Sequence, residues 1–176
     1  TDYVKLDVST VTITLLSPND NTYSRTQATN FNCSMSDTTL NTSFLYIWNS
    51  TGSNINTTTK YISGSSNWTN FTYTFSYDNS YKWNCLVTAT DSGTQKSLFA
   101  TSNSTITIDT TYPLITIVSP SNNTNSTDSQ LDVNYVASDT NRDKCWYSNN
   151  SGVTNYSISS CANLTTTTWV QGRNNI

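Results

Sequence analysis

The sequence contains no histidine and no glutamate. Without histidine there is no Ser-His-Asp or Cys-His pair to activate a nucleophile, and no imidazole for a metal. Without glutamate, and with little alanine, the chain lacks the residues that normally fill helices; all eleven acidic residues are aspartates. Charged residues make up only 11% of the chain, and the eight lysines and arginines are scattered. That spacing offers no basic cluster for nucleic acid phosphates. No apolar run approaches the roughly 20 residues that cross a bilayer as a helix. The five glycines form no phosphate-binding loop, and the four cysteines form no Cys-x-x-Cys pair. Abundant Thr, Tyr, Trp and β-branched residues suit strands, and Asn, Ser, Asp and Gly suit turns. The fold class expected is all-β. The first residues already lie in a strand-like pattern, so no signal peptide is expected, and the chain reads as a mature protein or a piece of a longer one.

An internal repeat organises the chain. Residues 105–120, TITIDTTYPLITIVSP, have a twin in residues 3–18, YVKLDVSTVTITLLSP, at an offset of 102, the step from Asp7 to Asp109. At the same offset Ser17-Pro18 falls on Ser119-Pro120, Asn21-Thr22 on Asn123-Thr124, and Ser36-Asp37 on Ser138-Asp139. A period of about 100 residues matches one β-sandwich domain. Each twin reads as the last strand of one domain, an aspartate-centred turn, and the first strand of the next, closed by Ser-Pro. Three segments follow: residues 1–8, a lone closing strand; residues 9–110, a complete domain; and residues 111–176, a second domain without its closing strands.

Alternation supports this division. Val11, Ile13 and Leu15 share one face; so do Thr29, Phe31, Cys33 and Met35. Residues 44–48 form the most apolar strand, and residues 57–62 a weak polar one. Phe71, Tyr73, Phe75 and Tyr77 alternate with hydroxyl residues, and Tyr81, Trp83, Cys85, Val87 and Ala89 share a face. Asp91-Ser92-Gly93 turns the chain into a strand at 98–100, followed by 105–109. In the second copy Ile115 and Ile117 repeat Ile13 and Leu15, while Leu131, Val133, Tyr135 and Ala137 repeat the 29–35 face. The copies diverge after Asp139; residues 165–170 read as a further strand.

Four cysteines with no histidine point to disulfides in an oxidising compartment, with three pairings open; zinc would need thiolates from two domains to converge. The spacing of Cys33, Trp48 and Cys85 resembles the Cys–Trp–Cys frame of immunoglobulin-like domains. Together with Asp109-Thr110-Thr111-Tyr112-Pro113, Ser119-Pro120-Ser121-Asn122-Asn123-Thr124, Ser138-Asp139, Cys145-Trp146-Tyr147-Ser148 and Asp91-Ser92-Gly93, it makes the chain similar to the tandem immunoglobulin-like repeats of archaeal and some bacterial secreted surface proteins. The resemblance implies a Cys33–Cys85 bridge with Trp48 inward, surface or appendage architecture, and no catalytic residues. Trp83 stands where that family usually has a tyrosine, two residues before the second cysteine. Cys145–Cys161 keeps the second bridge inside its own repeat.

The expected function is therefore a non-catalytic, extracellular structural repeat of an appendage, filament or adhesin stalk. Its expected partners are copies of itself or neighbouring repeats met head to tail, with no nucleic acid and no membrane span. N-linked glycans are expected among the sequons at Asn32, Asn41, Asn49, Asn56, Asn67, Asn70, Asn103, Asn122, Asn125, Asn149, Asn155 and Asn163, with Asn49, Asn103, Asn122 and Asn149 in loops. No cofactor is expected. A calcium ion at the repeat junction would draw on Asp7, Asp37, Asp91, Asp109 and Asp139; the plainer reading is aspartate as turn former. The alternative function is a carbohydrate-binding module, with a stacking platform drawn from Tyr61, Trp68, Tyr156 and Trp169. Finally, Tyr3, Val4 and Leu6 form a candidate donor strand: residues 3–8 match a closing strand, and the second domain has a core face without one. Strand exchange between subunits would then build a filament.

Overall fold

The computed structural model describes residues 10–91, 93–170 and 172. The fold is all-β, with one short 3₁₀ turn, and divides into two compact units between Thr110 and Thr111. The expected strand at residues 3–8 and Asp7 lie outside the described residues.

Unit 1 holds two sheets. One comprises β1 (Thr12–Ser17), β3 (Ala28–Ser36) and β6 (Ser66–Thr74), in the order β1-β3-β6. The other has the order β2-β9-β7-β4-β5, from β2 (Thr22–Ser24), β4 (Leu40–Trp48), β5 (Asn54–Tyr61), β7 (Asn79–Asp91) and β9 (Ser104–Ile108), with β8 (Thr94–Phe99) paired to the far half of β7. All pairings are antiparallel except β2 with β9, which run parallel. Side chains alternate across each strand. The inward sets, Phe31, Cys33 and Met35 of β3, Leu45 and Ile47 of β4, Phe71 of β6, Trp83, Cys85 and Val87 of β7, and Ile106 and Ile108 of β9, bury one shared core. Such sheet-on-sheet burial is the β-sandwich arrangement. Cys33 and Cys85 bridge the sheets with their Cα atoms 6.6 Å apart.

Two expectations need correction here. Trp48 does not face the disulfide: Leu45 and Ile47 are the fully buried residues in this end of β4, so Phe44, Tyr46 and Trp48 point the other way. Trp83 is the core tryptophan, fully buried, with its ring 5.0 Å from that of Phe31. Tyr77 leaves the alternating pattern, because β6 ends at Thr74 and Tyr77 is exposed in the following turn. Asn84, on the outer side of β7, is nonetheless buried. Its Nδ2 donates to Ala100 O (3.1 Å) and Asn103 Oδ1 (2.8 Å), in the stretch between β8 and β9 that covers it.

In unit 2, β10 (Leu114–Ser119) pairs with β11 (Asn134–Ser138), and β12 (Cys145–Tyr147) with β13 (Tyr156–Ile158). Cys145 and Cys161 are bridged, Cα to Cα 5.1 Å. Residues 165–170 do not form the expected strand. Their β-branched run finds no ladder, and Trp169 is held by its backbone N–H on Ser129 O (2.8 Å) and its Nε1 on Leu131 O (2.7 Å). The last strand among the described residues is β13, which ends at Ile158.

Candidate functional site: a duplicated strand pair and an outward aromatic row

The repeat read from sequence is duplicated in atomic detail. In β1·β3 the register sets Ile13 opposite Met35 and Leu15 opposite Cys33, then breaks before Ser17 opposite Asn32. In β10·β11 Ile115 faces Ala137, Ile117 faces Tyr135, and the same break precedes Ser119 opposite Asn134. Each bulge is held by an asparagine: Asn32 Nδ2 donates to Ser17 Oγ (2.7 Å) and Asn134 Nδ2 to Ser119 Oγ (2.8 Å). The peptide bonds Ser17–Pro18 and Ser119–Pro120 are both cis. Asn21 and Asn123 both adopt left-handed φ, 59° and 62°, a conformation that asparagine tolerates better than most residues. Beyond them the hydroxyls of Thr22 and Thr124 reach back to the carbonyls of Asn19 and Ser121, each at 2.7 Å.

The surroundings of the two pairs differ. In unit 1 Val11, Ile13 and Leu15 are half-buried against the core. Their counterparts Ile115 and Ile117 are 63% and 49% exposed, and Leu114, Val118 and Val136 are exposed as well. Among the described residues, β10 thus exposes apolar side chains on both faces.

A second surface lies on the outer side of β4. Phe44, Tyr46 and Trp48 stand at alternate positions, with Phe99 of β8 beside them across Leu86. Tyr46 and Trp48 stack at 5.7 Å with planes 13° apart, and Phe99 meets Tyr46 edge-on at 5.1 Å. Continuous aromatic and apolar residues along β4 hide this row in the sequence, since period-2 alternation cannot say which set faces the core. The rings singled out earlier are divided between the two units. Tyr61 (β5) and Trp68 (β6) are exposed on strands of different sheets of unit 1, while in unit 2 Tyr156 stacks on Tyr147 at 5.2 Å and Trp169 is tethered as described.

The carboxylates hold the frame. Asp20 Oδ1 accepts from the backbone N–H of Thr105 (2.7 Å), fastening β9, and Asp78 accepts from Thr110 N (2.8 Å). Asp37 and Asp91 are buried together: Asp91 Oδ1 accepts from Thr39 Oγ1 (2.6 Å), Thr38 Oγ1 lies within reach of both carboxylates, and Lys96 Nζ sits 2.5 Å from Asp91 Oδ2. Asp109 N–H donates to Ser24 O (2.9 Å) at the end of β9. Asp128 and Asp139 accept backbone N–H groups two residues on, the turn-forming role. No group of three or more metal-ligating side chains occurs among the described residues.

Tyr81 lies four residues before Cys85, at the start of β7. Its Oη donates to Tyr77 O at 2.9 Å, tying the start of β7 to the turn before it. Burial first, then the neighbouring Tyr73, Asp78 and Tyr77, hold this phenol above its ordinary pKa of 10.0.

Of the sequon asparagines, Asn41, Asn103, Asn122, Asn125, Asn155 and Asn163 are exposed, and Asn32, Asn49, Asn56, Asn67, Asn70 and Asn149 are half-buried. Attachment at Asn32 would displace the bond that holds its bulge. No helix among the described residues is long and apolar enough to cross a membrane. Comparison of the chain with protein-family models, curated proteins and solved structures returned no match.

Proposed function

We propose that the chain is a non-catalytic structural repeat of an extracellular appendage, filament or adhesin stalk, built from immunoglobulin-like domains in tandem and meeting its neighbours head to tail. The observation that carries this reading is the duplicated strand pair: one antiparallel pair, with its bulge and asparagine hook, occurs twice at a constant offset. Modules repeated so closely serve extended architecture. Two disulfides, each inside one unit, suit an oxidising exterior. A surface rich in Ser, Thr and Asn carries glycans without needing charge, and the carboxylates of Asp20, Asp78 and Asp91 are engaged in backbone and hydroxyl contacts.

Peptide mapping without reduction, on protein from its native source, tests this. Cys33–Cys85 and Cys145–Cys161 peptides are expected, with added glycan mass at several exposed sequons. Four free thiols on a bare polypeptide would refute the extracellular assignment.

The aromatic row favours a second reading, a carbohydrate-binding module, because parallel rings stack on sugar faces. Saturable binding on a glycan array that is lost in Trp48→Ala and Phe99→Ala, with the fold intact by circular dichroism, would establish it over the first.

A further inference from the structure

The outer side of β6 carries Trp68, Asn70 and Thr72, because Thr69 and Phe71 between them are buried. Asn70 and Thr72 are the two ends of an Asn-x-Thr sequon, so an indole, an acceptor amide and the sequon hydroxyl share one face of one strand. Same-face neighbours on a strand stand about 6.7 Å apart. The register sets the three against short polar residues of β3: Ser34 opposite Trp68, Asn32 opposite Asn70, and Asn30 opposite Thr72, whose Oγ1 donates to Asn30 Oδ1 (2.7 Å). None of these is tall enough to cover the indole, which is 66% exposed.

Three sequons meet on β3 and β6, and the fold leaves them unequally free. Asn67 Oδ1 accepts from the N–H of Trp68 (2.8 Å), its Nδ2 donates to Ser63 O (3.3 Å), and its sequon threonine, Thr69, is buried. Asn32 Nδ2 donates to Ser17 Oγ (2.7 Å). A sugar on either nitrogen displaces a bond that shapes the strand. Among the described residues no hydrogen bond holds the Asn70 side chain. Its backbone is held instead: Lys60 Nζ donates to Asn70 O, with that ammonium 5.5 Å from the centre of the Phe71 ring.

We propose that Asn70 is a glycosylation site and that the Trp68 indole is the platform for its first sugar. The inference rests on the extracellular reading above and adds to it one modified residue and the ring that receives the modification. In the transfer, Asn70 Nδ2 displaces phosphate from the anomeric carbon of a phosphate-activated glycosyl donor. The C1–O bond to phosphate breaks, the C1–N bond forms, and Nδ2 gives up one proton. A pyranose has a face of ring C–H groups and a rim of hydroxyls. Linked to Asn70, it lays those C–H groups on the electron-rich face of the neighbouring indole and takes apolar ring surface out of water. The hydroxyls stay in solvent, and the sugar displaces no bond of the sheet.

Site-resolved mapping of the full chain from its native source is the first test. Lys60 and Lys82 frame one tryptic peptide, residues 61–82, that holds both β6 sequons. Fragmentation should place sugar on Asn70 and none on Asn67. The second test is a thermal cycle on full chains made in the same host. Asn70→Gln should lower the Tm of unit 1 by about 4 °C while Trp68 is in place, and should change nothing in the Trp68→Ala background. In chains made without glycosylation Asn70→Gln should be silent in both backgrounds, which separates the sugar from the side chain. Both positions face outward, and circular dichroism checks that each variant keeps its fold. Asn70 without sugar, sugar on Asn67 in its place, or an equal loss of Tm with and without the indole overturns the proposal. Bridged cysteines and sugar at other sequons with Asn70 bare overturn it and leave the extracellular reading standing. Free thiols on a bare polypeptide overturn that reading as well.

Discussion

Tyr81 shows how one side chain can secure a turn and also make the molecule sensitive to alkali. Its hydroxyl donates to a carbonyl four residues upstream, and its ring packs at 4.3 Å on Phe75. Tyr81→Phe keeps the ring and removes the bond, so urea unfolding at neutral pH should show a loss of about 1 kcal/mol. The raised pKa adds a pH window. Above about pH 10 the unfolded chain releases this proton while the folded chain retains it. The stabilisation is therefore complete below pH 10 and is lost as pH climbs towards the folded value. Tyr81→Phe should flatten that part of the alkaline decline; an unchanged slope would mean that other groups produce it. Asp20 acts at the same scale, since its carboxylate takes the N–H of Thr105, the second residue of β9, near where that strand enters the sheet.

Among elements, the bridge between β3 and β7 binds the two sheets across the core. It spans 52 residues, for which the chain-entropy model gives about 4 kcal/mol, against about 3 kcal/mol for the 16-residue Cys145–Cys161 loop. Replacing Cys33 and Cys85 by alanine together should lower the unfolding free energy of unit 1 by at least that amount, and removing the second bridge should leave the exchange protection of β3 and β7 unchanged. Where apolar residues sit on one side only, as at Phe31, Cys33 and Met35 or Trp83, Cys85 and Val87, alternation reads the strand and its inward face directly. It fails where both faces are apolar. In Phe44-Leu45-Tyr46-Ile47-Trp48 either register satisfies the pattern, and packing of β4 against β7 selects Leu45 and Ile47 for the core. Local sequence is equally silent on β2, which is three residues long and exists through its parallel neighbour. In the opposite direction, residues 165–170 have strand-forming side chains and no partner, so propensity overstates them. The duplicated pair was legible down to its Ser-Pro ends because Ser17, Pro18 and Asn21 each have a partner at the same offset; the asparagine that holds the bulge showed only once Asn32 was seen on Ser17.

For the molecule as a whole, the parallel pairing of β2 with β9 fixes how unit 1 responds to tension along the chain. β2 is reached from the N-terminal side and β9 leaves towards the C-terminal side. Pulling drags these two strands in opposite senses along one axis, and the pairs at Thr22, Tyr23 and Ser24 are loaded in shear, all at once rather than one after another. When they give way, the Cys33–Cys85 bridge becomes the mechanical path, and the residues between them stay out of the load. At about 3.5 Å per residue, those 52 residues hide about 180 Å of chain. Single-molecule stretching should therefore show a short extension from unit 1 under oxidising conditions and the remaining length only after a reductant is added. Full extension without reductant would contradict this. The bridge thus sets a ceiling on how far unit 1 can lengthen under load while its disulfide is intact.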